Sequence, residues 1–198
     1  MYEVLGDVPV ILILRNPVER AFSAYNNLIR DGRETKPFME ALMAEDERIE
    51  GNYDMMWHYK AVGEYSEHVK RYLDTFTKVK ILFFEEFTQN PDEQVKQIFD
   101  FLGVKSDVTL DTSTRYSNSG KPKSALISLL TSRNNVVSNT VRRIIMALVP
   151  RSILEKVSEK SLEKSEVPAG ARKYLKDYYQ KEIMELGRVL DKDLSIWN

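Results

Sequence analysis

The chain contains no cysteine and only two histidines among its 198 residues. The first absence excludes disulfides, thiol nucleophiles and thiolate metal sites, and it leaves the compartment open. The two histidines, His58 and His68, are spaced too widely to form a metal-binding pair on one helix face. No metal is expected. An excess of one charge is also lacking: the net charge is −1 and the isoelectric point about 6.2. A broad nucleic-acid footprint is therefore excluded, and an anionic ligand must be met by locally placed cations. No apolar run approaches the roughly 20 residues of a membrane-spanning helix, and no signal-peptide pattern opens the chain. A cytoplasmic protein is the default expectation. Glycine-rich phosphate loops are missing too, since Gly6 in Val4-Leu5-Gly6-Asp7 matches none by spacing. There is no internal repeat and no low-complexity tract. What remains, 42% hydrophobic and 30% charged residues, suits one globular domain over residues 1–198 with a real core.

The most informative stretch is residues 9–25. Val10 to Leu14 is an unbroken apolar run without alternation, which reads as a strand buried on both faces within a parallel sheet. Asn16 and Pro17 follow as a helix start: Asn16 can cap, Pro17 suits the first position, and Glu19 lies three residues after the cap. Strand, tight turn, helix is the expected order. Arg15 then stands at the carboxyl end of the strand, where ligands of parallel sheets bind. Helix amino ends attract anions through unpaired amides and a positive dipole, and Arg15 adds a planar charged fork. Asn16, Arg20 and Ser23 recur at three- and four-residue steps and share one helix stripe, so the Ser23 hydroxyl is a candidate second donor to the same anion. The alternative is a surface ion pair at Arg15 and plain packing at Ser23.

Arg15-Asn16-Pro17-x-x-Arg20-Ala21-x-Ser23-x-Tyr25 resembles the 3′-phosphate-binding signature of sulfotransferases, which use 3′-phosphoadenosine-5′-phosphosulfate (PAPS) as sulfo donor. The resemblance implies that Arg15 and Ser23 hold the 3′-phosphate of PAPS. It implies an α/β fold: a parallel sheet flanked by helices and related to the P-loop nucleotide-binding architecture. In that family a strand, a glycine-rich phosphosulfate loop with a Lys, and a helix precede the motif, and the usual catalytic base lies there or nearby. Residues 1–8 are too short to form any element, so the expectation is a partial domain lacking that amino-terminal portion. The catalytic Lys and base are thus not identified in this sequence. A strand left unpaired in this way would invite a homodimer or aggregation.

Downstream, residues 31–37 form a charged, turn-rich break. Residues 38–48 read as one short amphipathic helix. Residues 53–76 are rich in aromatics, and Val62, Tyr65, Val69, Tyr72, Leu73 and Phe76 make an apolar helical stripe. Gly63-x-Tyr65 ahead of this helix is similar to bacterial carbohydrate-type sulfotransferases, in which the region borders the acceptor cleft; Trp57, His58 and Tyr59 are candidates to line it. His58 is the weak candidate for a general base, whereas His68 lies in a polar, solvated register. Residues 80–86 read as a second apolar strand. Glu85 and Glu86, as strand neighbours, would point to opposite faces and form no catalytic dyad. Asn90-Pro91 starts a further helix, ended by Gly103. This strand-loop-helix also resembles the family, and the resemblance sets Phe84 against the adenine; a core role is the alternative.

Residues 105–120 are polar and turn-like, a length of loop that is often functional. Gly120-Lys121-Pro122-Lys123-Ser124, preceded by Asn118, resembles the family's late loop, in which a basic residue and backbone amides close over the 3′-phosphate and adenosine. Gly120, Lys121 and Lys123 are the candidates here. Lys123 stands where Arg is commoner and supplies charge without a bidentate fork. A solvated lysine pair is the alternative. Apolar helices are expected over 126–130, 133–148 and 171–190, with an exposed loop or frayed helix over 158–166. The close, Asp193-Leu194-Ser195-x-Trp197, is also similar to bacterial sulfotransferases. Three readings compete. One is a PAPS-dependent sulfotransferase acting on a hydroxyl or amine of a small-molecule or carbohydrate acceptor. Another is an incomplete member that at most binds 3′-phosphoadenosine nucleotides. The last is a kinase-like nucleotide enzyme, which the missing Walker-type loop disfavours.

Overall fold

The computed structural model describes residues 1–105, 121–122, 162–163 and 166–197. Its elements are α1 (Tyr2–Leu5), β1 (Val10–Leu14), α2 (Pro17–Arg30), α3 (Phe38–Met43), α4 (Glu45–Glu50), α5 (Ser66–Thr75), β2 (Val79–Phe83), α6 (Phe84–Gln89), α7 (Pro91–Leu102), β3 (Lys121–Pro122), β4 (Leu162–Glu163) and α8 (Ala169–Leu190). Single 3-10 turns occupy Met55–Trp57, Ala61–Gly63 and Ser195–Trp197. The helices expected over 126–130 and 133–148 lie outside the described residues. The chain forms two compact units. Among the described residues, one comprises residues 1–17, 63–105 and 176–197, and the other comprises 18–62 and the segment ending at Leu175.

The first unit carries the parallel pair expected of an α/β fold. β1 and β2 run parallel, with Val10 opposite Val79 and Leu14 opposite Phe83. A parallel pair needs a long crossover between its strands, and residues 15–78 supply it. The expectation that β1 is buried on both faces is corrected: Ile13 is 53% exposed. Among the described residues the sheet has these two strands alone, so β1 is paired along one edge. Residues 1–8 do form an element, the one-turn helix α1, whose Tyr2 meets Phe76 edge-on at 5.6 Å. Asp7 fastens the same corner, accepting from the Thr77 amide at 3.0 Å and its hydroxyl at 2.6 Å. β2 stops at Phe83, earlier than the apolar run predicts, and Phe84, Glu85 and Glu86 open a helix instead. Two acidic residues in a first turn complement the helix dipole. α7 starts with Pro91 and ends at Gly103, whose φ of 68° is the left-handed value that glycine accommodates. Gly63 answers to a different need. A Cβ there would lie 2.7 Å from Cζ and 2.9 Å from Cε1 of the buried Tyr179 ring.

The second unit is built on α2. Val18, Ala21, Phe22, Tyr25 and Leu28 repeat at helical spacing and are all buried. Phe38 of α3 packs on Phe22 at 5.0 Å and on Tyr25 at 4.9 Å, and the buried Tyr59 closes the aromatic cluster. The single helix expected over residues 38–48 is two helices, with Ala44 between them. The break delivers Glu45 to the interior, where its carboxylate accepts the amides of Lys60 at 2.6 Å and Ala61 at 2.8 Å. β3 pairs antiparallel with β4, so residues 162–163 are extended where a loop or frayed helix is predicted. α8 begins two residues before the predicted start.

A buried ion pair organises this second unit. Glu34 is 4% exposed and accepts five hydrogen bonds. They come from the amides of Thr35 and Lys36, from both terminal nitrogens of Arg48 at 2.7 and 3.1 Å, and from the Tyr59 hydroxyl at 2.8 Å. Burial pushes the Glu34 carboxyl upward, but the donors outweigh it and hold it below its ordinary 4.5. Its contribution is therefore fully present above that ordinary value and is lost as pH falls through the lower folded value. Glu34→Gln should cost ~3–5 kcal/mol at neutral pH, because Arg48 would be left buried without its partner. Chemical denaturation followed against pH should show the gap between parent and variant closing below about pH 4.5.

Candidate functional site

β1 ends at Leu14 and α2 begins at Pro17, so Arg15 and Asn16 form the whole turn. Proline has no amide hydrogen, which suits a first helical residue whose donor would find no partner in the helix. The turn is held from three distant parts of the same unit. The Tyr65 hydroxyl donates to the Arg15 carbonyl at 3.0 Å. The Asn16 amide donates to Glu85 Oε1 at 2.9 Å. The Asn16 side-chain nitrogen donates to the Trp197 carbonyl at 3.4 Å, a longer contact. Trp197 is itself buried, with its ring edge-on to Phe83 at 5.6 Å and to Tyr65 at 6.5 Å. Lys192 secures the same end of the sheet: its ammonium is 2.9 Å from Glu86 Oε1 and 4.0 Å from the Phe83 ring centroid.

The Arg15 guanidinium carbon lies 4.7 Å from the centroid of the Phe84 ring. This is a cation–π contact at the carboxyl ends of two parallel strands. Phe84 remains 38% exposed. A solvent-reaching aromatic face beside a fixed guanidinium fits an aromatic heterocycle carrying an anionic group. Arg15 and Phe84 are thus brought together. Ser23 and His58 belong to the other unit. Ser23 is the seventh residue of α2, about 9 Å along the axis from its first, and is half-buried. Arg20, on the same stripe, turns its guanidinium to the Tyr59 carbonyl. His58 Nε2 is buried and has no hydrogen-bond partner among the described residues. That nitrogen is therefore closed off from solvent. His68 is exposed, as its register predicts. Gly120 and Lys123 lie outside the described residues. Lys121 contributes its backbone to β3, opposite Glu163, and its side chain also lies outside.

Glu85 is the residue the sequence did not reveal. Read as a strand position it has no role, yet as the second residue of α6 it reaches the Asn16 amide. The available signal was the acidic pair itself, which marks a helix start more readily than a strand. Among the described residues no group of three or more His, Asp or Glu side chains is arranged to hold a metal, and no helix is long and apolar enough to cross a membrane. A cleft of about 460 Å³ opens beside the end of α8, lined by Met184, Gly187, Arg188, Lys192 and Ser195 among others. Neither Arg15 nor Phe84 lines it.

A family model, the sulfotransferase domain, matches residues 5–183. The chain belongs to the sulfotransferase family. It is similar to a sulfotransferase from Alicyclobacillus acidocaldarius known from a crystal structure, at 33% identity and a TM-score of 0.71, covering 100% of this chain and 60% of that one. It is also 30% identical over 105 residues to heparan sulfate glucosamine 3-O-sulfotransferase 3B1 of Mus musculus, a match spanning 52% of this chain and 26% of the relative. Heparan sulfate glucosamine 3-O-sulfotransferase 6 of Homo sapiens is 31% identical over 105 residues, 52% of this chain and 30% of the relative. The match thus spans less than a third of these curated relatives. The fold, α/β with a parallel pair, is that of the family.

Trp197 joins the carboxyl terminus to this site. Trp197→Ala should cost ~3–5 kcal/mol, the usual range for emptying a buried tryptophan position, and Trp197→Phe should recover most of it. Urea denaturation of both variants checks this.

Proposed function

We propose that the chain is the nucleotide-binding part of a sulfotransferase that takes PAPS as donor and transfers its sulfo group to a hydroxyl or amine, with a carbohydrate as acceptor. The observation that carries the reading is the Arg15 guanidinium stacked on the half-open Phe84 ring at the end of the parallel pair. Arg15 would bind the 3′-phosphate through its planar fork, and Phe84 offers the adenine a ring face. Ser23, Gly120, Lys121 and Lys123 are proposed to complete the nucleotide site. When bound, PAPS supplies the sulfo group. This chain's residues contribute positioning and positive charge, the two largest levers for transfer of a group of this kind. The carbohydrate acceptor is supported by the heparan sulfate enzymes among the relatives.

The test is calorimetric binding of 3′,5′-diphosphoadenosine, followed by a transfer assay from PAPS to a heparan-type oligosaccharide. A charge-assisted hydrogen bond is worth about 1.5–3 kcal/mol, so Arg15→Ala should weaken nucleotide binding roughly ten- to a hundredfold. Arg15→Lys should retain part of the affinity, because charge survives without the fork. Absence of binding in the parent chain overturns the reading. Binding without transfer reduces the chain to a nucleotide-binding module.

A further inference from the structure

We infer that Glu85 is a positioning residue for the nucleotide site, acting through the Asn16 amide and never touching the ligand; the inference rests on the reading of Arg15 as the anion-binding residue. Three observations lead to it. First, Glu85 Oε1 takes the amide hydrogen of the residue directly after Arg15, across 69 positions of sequence. The peptide plane that carries this amide also carries the Arg15 carbonyl, which accepts from Tyr65. One planar unit is thereby held at both its donor and its acceptor. Its orientation fixes where the Arg15 side chain leaves the backbone.

Second, Glu85 Oε2 is buried and has no hydrogen-bond partner among the described residues. A ligand cannot reach that oxygen, so Glu85 is not a binding residue. A buried carboxylate oxygen without a donor is costly, and the cost must be outweighed by what the other oxygen holds. Third, the carboxylate stands at the amino end of α2. Its Oε1 occupies the Asn16 amide, the donor that a bare helix end would otherwise offer an anion. An incoming phosphate is then directed away from the Asn16 amide and toward the Arg15 guanidinium. On this account Glu85 sharpens preference for a nucleotide that reaches Arg15, and contributes nothing to one that does not.

Glu85→Gln, Glu85→Ala and Tyr65→Phe test this in the full chain. Gln keeps a carbonyl oxygen that can accept the Asn16 hydrogen, Ala removes it, and Phe deletes only the hydroxyl that holds the other side of the peptide. Two readouts are taken: the affinity ratio of 3′,5′-diphosphoadenosine to adenosine 5′-monophosphate, and hydrogen exchange of the Asn16 amide. Glu85→Ala should lower the ratio about five- to tenfold, the worth of one hydrogen bond, with binding of the monophosphate unchanged and Asn16 exchanging faster. Glu85→Gln should keep the parent's ratio within about twofold and leave Asn16 protected. Tyr65→Phe should lower the ratio in the same sense as Ala. Should Glu85→Ala fail to fold, the Gln and Phe variants carry the test. A parent chain indifferent to the 3′-phosphate overturns the Arg15 reading and this one with it. A discriminating parent with an equally discriminating Glu85→Ala overturns the role of Glu85 alone. Equal loss in Gln and Ala also overturns it, since charge and not the acceptor would then be what matters.

Discussion

The site depends on one peptide unit, the bond between Arg15 and Asn16. On its amino side the chain belongs to the strand ladder, with Leu14 opposite Phe83. On its carboxyl side Pro17 begins a helix and offers no amide. Backbone groups at such a junction belong to neither ladder, yet they must be satisfied. Here the carbonyl is satisfied by Tyr65 and the amide by Glu85. Both partners sit on elements that the crossover returns to β2: Tyr65 just before α5, Glu85 just after the strand. The parallel topology thus brings the clamp to the turn, because strands with the same direction end on the same side.

Much of this was legible. The apolar run of β1, the Asn16-Pro17 start, the Asn90-Pro91 start and the Gly103 stop are local signals. They place four boundaries to within a residue. The motif reading paired Arg15 with Phe84, and the structure sets the guanidinium over the ring; that the two serve one nucleotide is the proposal. What failed did so for physical reasons. Phe83 and Phe84 continue one apolar run across the strand-to-helix switch, so periodicity cannot say where the strand stops. Losing that boundary hid Glu85. Buried polar residues were equally opaque. Glu34, Glu45 and Arg48 are nearly inaccessible, while sequence patterns assign charged residues to the surface. Only the tertiary donors around them explain their place.

The electrostatic argument changes most. Read from sequence, the amino end of α2 is an anion site by virtue of free amides and a dipole. In the structure Glu85 already answers the first of those amides. What distinguishes Arg15 is then its plane as well as its charge. The ring of Phe84, 4.7 Å away, restricts how the guanidinium can tilt. A lysine in that position would carry the charge and lose the orientation.

Two carboxylates, Glu34 and Glu85, show how the same group serves different ends. Glu34 accepts five hydrogen bonds from four residues, and its removal strips a whole network. A fully satisfied network of this kind rigidifies the part of the chain that contains it. Glu85 accepts the Asn16 amide through one oxygen, and its second oxygen has no partner among the described residues. Such a group adds little to stability, because its desolvation offsets much of what its single bond returns. Its value lies in direction: it selects one orientation of one peptide plane. Scaffold and alignment are therefore separable in this chain, and a substitution can damage the second while leaving the first almost whole.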